Sequence, residues 1–256
     1  MTQTLTAYPV VADVPALNAF LGEVFGAVEK VRVVGPAGGY HTEVQIGDTL
    51  LFIGGGGPDL NWKGEARPMA FHVYVPDTDA TYQRALDRGA ESLQAPVNQE
   101  WGERTANVKD PAGNFWYIAT FQGENYFSEG APTVQPYLQP AKAEPVIDFL
   151  VRAFGAVELG RAVGDDGAIL HTTLKIGNSA MELIDAAGIY QPMPGMFYLY
   201  VGDADKVYHH AVSCGAEGMG APADRPYGDR NGSVRDIAGN LWYIASPIAR
   251  PANQQR

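Results

Sequence analysis

DPAGNFWYIA, residues 110–119, returns near the other end of the chain as DIAGNLWYIA, residues 236–245. The repetition does not stop there. FGAVE begins at 25 and again at 154, HT at 41 and 171, IG at 46 and 176, GAE at 89 and 215, and WGER at 101 answers YGDR at 227. The offset moves only from 129 to 130 to 126 residues. So constant a period means that a whole domain has been duplicated, with length changes confined to loops. A chain of 256 residues has room for two such domains. The expected division is a first domain over 1–122, a linker over 123–132, a second domain over 133–249 and a tail over 250–256. The linker expectation rests on the polar, Gly-containing stretch FQGENYFSEGAPT at 121–133, which contains Pro132.

Hydrophobic residues make up 46% of the chain and charged ones 18%, the balance of a water-soluble globular protein. No run approaches the roughly 20 apolar residues of a membrane span. No secretory signal is visible, so a cytoplasmic location is expected. Cys214 is the only cysteine, which excludes an internal disulfide and a thiolate zinc cluster. A net charge of -11 argues against nucleic-acid backbones and favours neutral or cationic ligands. The expected partner is a small molecule, with neither nucleic acid nor membrane, for a monomer or homodimer.

Each half divides again. After the strand LTAYPVV, the segment VPALNAFLGEVFGA sets Leu17, Phe20, Leu21, Val24 and Phe25 on one helical face, and Val146, Phe149, Leu150, Ala153 and Phe154 repeat that face. Two hairpins follow, HTEVQ-IGDT-LLFI and HTTLK-IGNS-AMEL, turning at Gly-Asp and Gly-Asn. Then the order restarts with the strands FHVYV and FYLYV. The helices after them open at Asp77 or Asp79 and at Asp203 or Asp205, and close at Gly89 and Gly215. The final strands end in WYIA. The order is βαβββ, four times over, an α+β chain.

That order, together with YGDR and DxxGNxWYIA, resembles the vicinal-oxygen-chelate superfamily of glyoxalases, bleomycin-resistance proteins and extradiol dioxygenases, with a PhnB-like or glyoxalase-like cast. The resemblance implies four βαβββ modules paired into two tandem domains, each curling its sheet into a concave cup that binds ligands. It also implies where a divalent cation would sit: His or Gln on the first strand, Glu on the fourth, His or a similar ligand on the fifth, Glu on the eighth. Carried over half by half, these positions become Thr6, Phe52, Ala70 and Tyr117 in the first cup, and Gln135, Glu182, Met196 and Tyr243 in the second. Only Gln135 and Glu182 remain of a metal site. No cofactor is therefore expected, with a divalent metal in the second domain as the alternative.

Strand register adds further candidates. With Gly177 and Asn178 in the turn, Thr173 faces Glu182, and His171 lies on the same face two residues away. His41 holds the matching place in the first half, where Glu43 faces Phe52. Alternation puts Ala70, His72 and Tyr74 on the cup side of their strand and Phe71 and Val73 on the core side. Met196, Tyr198 and Tyr200 divide from Phe197 and Leu199 in the same way. Tyr117 and Tyr243 join the cups, while Trp116 and Trp242 point inward. Aromatic bodies with polar tips make a pocket for flat or apolar organic molecules. Tyr137, Tyr227 and Arg230 complete the second cup's candidate ligand contacts, and Tyr8 and Trp101 the first's. Arg104 and Arg230 have a loop ion pair as the rival reading.

GGGG at 54–57 lacks the helix and Lys of a phosphate loop and precedes Pro58, so a flexible connection is expected. His209 and His210 fall on a solvated helix face. The functional expectation is binding of a small organic molecule, with the second cup the working one because it carries Gln135, Glu182, Tyr198 and Tyr200. The alternative is a lyase, isomerase or epoxide-opening enzyme using Glu182, with His171 as a second catalytic candidate and with or without a weakly held metal.

Overall fold

The computed structural model describes residues 3–122, 132–188 and 190–248; the expected linker, Pro132 apart, and the expected tail lie outside them. The first module runs β1 (Leu5–Ala7), β2 (Val10–Val11), α1 (Val14–Phe25), β3 (Val28–Val34), β4 (Tyr40–Ile46) and β5 (Thr49–Gly55). The second runs β6 (Ala70–Tyr74), α2 (Thr78–Asp87), β7 (Glu91–Asn98), β8 (Glu103–Lys109) and β9 (Phe115–Phe121). The third comprises β10 (Val134–Leu138), α3 (Glu144–Phe154), β11 (Val157–Val163), β12 (Ile169–Ile176) and β13 (Ser179–Leu183). The fourth comprises β14 (Met196–Tyr200), α4 (Ala204–Ser213), β15 (Glu217–Asp224), β16 (Asp229–Arg235) and β17 (Leu241–Pro247). Four βαβββ modules are present, as expected. No helix among the described residues is long and apolar enough to cross a membrane.

The local chemistry follows the sequence closely. Asp13, Asp77 and Asp203 each accept a hydrogen bond from the third backbone N–H beyond them, opening α1, α2 and α4. Asp79 and Asp205, the other candidates, serve elsewhere. The two hairpins have the expected register: Glu43 faces Phe52 and Thr173 faces Glu182. GGGG departs from expectation. Gly54 and Gly55 end β5 beside β2, where a Cβ on Gly55 would lie 1.8 Å from the Val11 carbonyl oxygen. Glycine is required there for close backbone approach.

The repeated phrase is a turn that anchors a tryptophan. Asp110 is buried and accepts from the backbone N–H of Ala112 and Asn114, from Asn114 Nδ2 and from Trp116 Nε1, each at 2.9 Å. Asp236 does the same for Ala238, Asn240 and Trp242. Each indole then stacks on the first strand of its own module, Trp116 on Phe71 and Trp242 on Phe197. It also meets the helix end of the neighbouring module in the same half, at Phe25 and Phe154. Helices and tryptophans thus hold each half together on the side away from the cups.

The cups themselves are assembled differently from expectation. β6 of the second module pairs antiparallel with β10 of the third, producing one eight-stranded sheet in the order β11-β12-β13-β10-β6-β9-β8-β7. Likewise β1 pairs antiparallel with β14, joining the first module to the fourth. On its other side β1 runs beside β5, where the Gln3 side chain exchanges hydrogen bonds with the Leu50 backbone. Each cup therefore draws on both halves, and the expectation that each half closes its own cup is corrected. The linear repeat could not reveal this, because pairing within a half and pairing between halves satisfy the same strand edges.

Two reciprocal latches stabilise the exchange. Asp48 Oδ1 accepts from Thr133 N at 2.7 Å, and Asn178 Oδ1 accepts from Thr4 N at 2.8 Å. The adjoining Gly47 and Gly177 have φ of 56° and 59°, and a Cβ on either would lie 2.2 or 2.3 Å from the threonine hydroxyl of the opposite half. Gly47→Ala is expected to lower stability by more than about 1 kcal/mol, since the left-handed backbone and the contact both oppose it. Urea unfolding checks this. A variant as stable as the wild type would show that the latch contributes nothing.

Candidate functional site

Pairing between halves redistributes the candidate residues. Opposite Gln135 on β10 stands His72 on β6, not Ala70, and His72 is in turn level with Tyr117 on β9. Glu182 on β13 lies level with Tyr137 on β10. The four positions that the family pattern specifies are thus Gln135, Glu182, His72 and Tyr117 in this cup. In the other they are Thr6, Phe52, Tyr198 and Tyr243, with Thr6 opposite Tyr198 rather than Met196. The expected set was shifted by two residues on the fifth strand, and its halves were interchanged.

The cup between the second and third modules contains a cavity of about 460 Å3. At its floor Glu182 is 3% exposed and touches two imidazoles. His72 Nδ1 lies 2.9 Å from Oε2 and 3.0 Å from Oε1, and His171 Nε2 lies 3.3 Å from Oε2. The reach of His171 follows from its place two residues from Thr173. Thr173 itself contributes the strand position facing Glu182. Burial opposes charge on Glu182 and on His72, but the opposite charges around each together outweigh that penalty, His72 and His171 for Glu182 and Glu182 and Glu103 for His72. The carboxyl is held well below the usual range, helped by His171, and the His72 imidazolium is favoured.

Aromatic rings form the walls. Tyr117 and Tyr137 approach to 4.4 Å between centroids, and Tyr74 lies against His72 at 4.6 Å. Trp101, at the mouth, donates from Nε1 to Glu103, which also accepts from the Tyr74 hydroxyl. Tyr117 donates to Gln139 Oε1, and burial pushes its phenol pKa upward, so it stays protonated. Glu103, Asn107 and Gln139 were not singled out from the sequence. A sign of Glu103 was present, since WGER and YGDR repeat an acid in one slot. Asp229 likewise accepts from Tyr198 and Tyr200.

The other cup carries an aromatic cluster of its own. Phe52, Tyr198 and Ala245 are buried against Tyr8, Tyr200 and Tyr243. Tyr198 and Tyr243 stack nearly parallel. The Tyr8 hydroxyl meets His41 Nδ1 at 2.7 Å, burial disfavours the His41 imidazolium, and Glu43 lies 3.9 Å away. Asn231 donates to Tyr198 and Tyr227. Arg230 is engaged by Asp205 and Asp224, and Arg104 by Asp79, so the loop ion pair displaces the ligand-contact reading of Arg230. Tyr198, Tyr200 and Tyr243 therefore do not share a cup with Glu182. Tyr117, Trp101 and His72, expected in the quieter cup, do.

Register brings three donors of the family's metal pattern together, but the set does not fit a resident divalent cation. Glu182 already presents its oxygens to two imidazoles, and His72 spends its Nδ1 on that carboxylate. The fourth position is a neutral phenol. Among the described residues no group of three or more His, Cys, Asp or Glu is placed to hold an ion.

Residues 8–118 match the profile of the Glyoxalase/Bleomycin resistance protein/Dioxygenase superfamily. An uncharacterised protein of Mycobacterium tuberculosis is 33% identical over 138 residues, covering 50% of this chain and 81% of that one. Glyoxalase I from Zea mays superposes with a TM-score of 0.73 at 16% identity, over 95% of this chain and 92% of that one. A putative dioxygenase from Bacillus subtilis gives 0.64 at 16% identity, over 94% and 84%. At such identities these two structures establish the fold alone.

Proposed function

The chain belongs to the Glyoxalase/Bleomycin resistance protein/Dioxygenase superfamily, and on that premise we propose that it binds a small organic molecule, without a resident metal, in the cavity between its second and third modules. The observation that carries this reading is the contrast between the cups. One buries Phe52 and Tyr198 in an aromatic cluster with no carboxylate among its members, whereas the other keeps about 460 Å3 walled by Tyr117, Tyr137 and Trp101 above a buried carboxylate. Pockets of that size and lining take flat organic ligands.

The enzymatic alternative needs Glu182 as a general base. Its two imidazole partners hold the carboxyl far below the range in which a base works well near neutral pH, which favours holding a molecule over abstracting its proton.

An aromatic fragment collection, screened by the NMR signal of the Trp101 indole N–H, tests the reading. Fragments are expected to shift that signal. Tyr117→Phe should then weaken their binding by the worth of one hydrogen bond, roughly 0.5–1.5 kcal/mol, while Tyr243→Phe leaves it unchanged. Loss at Tyr243 alone would place the ligand in the other cup. Elemental analysis of protein purified without chelators completes the test: a stoichiometric transition metal would sink the metal-free reading.

A further inference from the structure

We propose that this cavity selects organic cations, flat aromatic molecules that carry a protonated amine, and that the ammonium docks against Glu103. The inference rests on the reading that the cavity takes an organic ligand, and it names that ligand's charge.

Glu103 is the starting point. It is 2% exposed, and its oxygens accept from the Tyr74 hydroxyl and from Trp101 Nε1, both uncharged donors. Among the described residues neither Lys nor Arg lines the cavity. Its two imidazoles are both set on Glu182. One of the two carboxylates in the wall therefore has a direct cationic partner and the other does not. His72 acts on Glu103 only through space while it is paired with Glu182; a buried carboxylate with no cation in contact is under-compensated, and a ligand cation that docks on it gains what the protein leaves unsatisfied.

The equivalent acid in the other cup shows that the repeat alone does not explain this. Asp229 has matching tyrosine partners, but it is partly exposed, so water screens its charge. Glu103 lacks that solvation.

The surroundings agree with the sign. Tyr117, Tyr137 and Trp101 line the cavity, and aromatic rings attract a cation most strongly where water is excluded. Gln135 Oε1, on the cup face of β10 beside His72, is a buried acceptor with no donor. The chain's net charge of -11 draws cations toward it from solution.

Three probes with one ring system and different tails test the proposal: tryptamine, 3-propylindole and indole-3-propionate, titrated into the isotope-labelled full chain and followed at the Trp101 indole N–H. Tryptamine is expected to bind about tenfold tighter than 3-propylindole, and indole-3-propionate more weakly than either. Glu103→Gln should bring tryptamine down to the affinity of 3-propylindole without weakening the latter, whereas Glu103→Asp, which keeps the charge, should retain the preference. Equal affinity of the wild type for tryptamine and 3-propylindole, or a preference for the propionate, would overturn cation selectivity while leaving a ligand cavity in place. No shift with any of the three would overturn it together with the reading on which it rests.

Discussion

Asp110→Ala is expected to cost about 3–5 kcal/mol of folding stability, and Asp236→Ala a similar amount. Each aspartate satisfies four donors, two of them backbone N–H groups, one an amide side chain and one an indole. Removing the acceptor strands these groups where water does not replace it, at roughly 1–3 kcal/mol per buried donor before relaxation. Asp110→Asn keeps one acceptor oxygen and should lose less. Urea unfolding of the three variants measures this. A loss below about 1 kcal/mol for either alanine would show that the repeated phrase is not the anchor described above.

The second large effect is at Glu182. Its replacement by Leu breaks a buried pair and should cost about 3 kcal/mol, in the usual range for a stranded partner. The cost should depend on pH. Glu182 has a lowered pKa in the folded chain, so its contribution is present above the unfolded value of about 4.3 and is lost as pH falls through the folded one. His72 has a raised pKa, so its contribution is full below about 6.5 and is lost as pH rises through its folded value. The difference between wild type and Glu182→Leu should be greatest between about pH 4.5 and 6.5 and narrow on both sides. A difference that is flat with pH would contradict the ion pair.

Much of this was legible in the chain. Helix faces, the Asp77 and Asp203 caps, both hairpin registers and the inward tryptophans follow from periodicity and turn chemistry, which are local. His171 near Glu182 followed from register alone. What escaped was non-local. Whether β6 meets β10 or β1 depends on which exposed strand edges find each other, and two similar modules offer no evident local preference. The decisive contacts, Asp48 on Thr133 and Asn178 on Thr4, join residues that read separately as an ordinary turn and an ordinary strand start. From that one choice came the misassignment of Tyr117 and Tyr243. The two-residue shift on the fifth strand kept His72 out of the expected metal set, and its partner across the sheet, Gln135, belongs to the other half.

The site is built across the halves, with His72 of one against Glu182 of the other. The imidazole titration of His72, followed by NMR in the wild type and in Glu182→Gln, shows whether the two residues meet. The wild-type midpoint is expected above the ordinary value of about 6.5, and the variant's below it, because burial remains while the carboxylate is gone. A His72 midpoint that the substitution leaves unchanged would mean that the two residues do not meet, as would hold if each half closed its own cup.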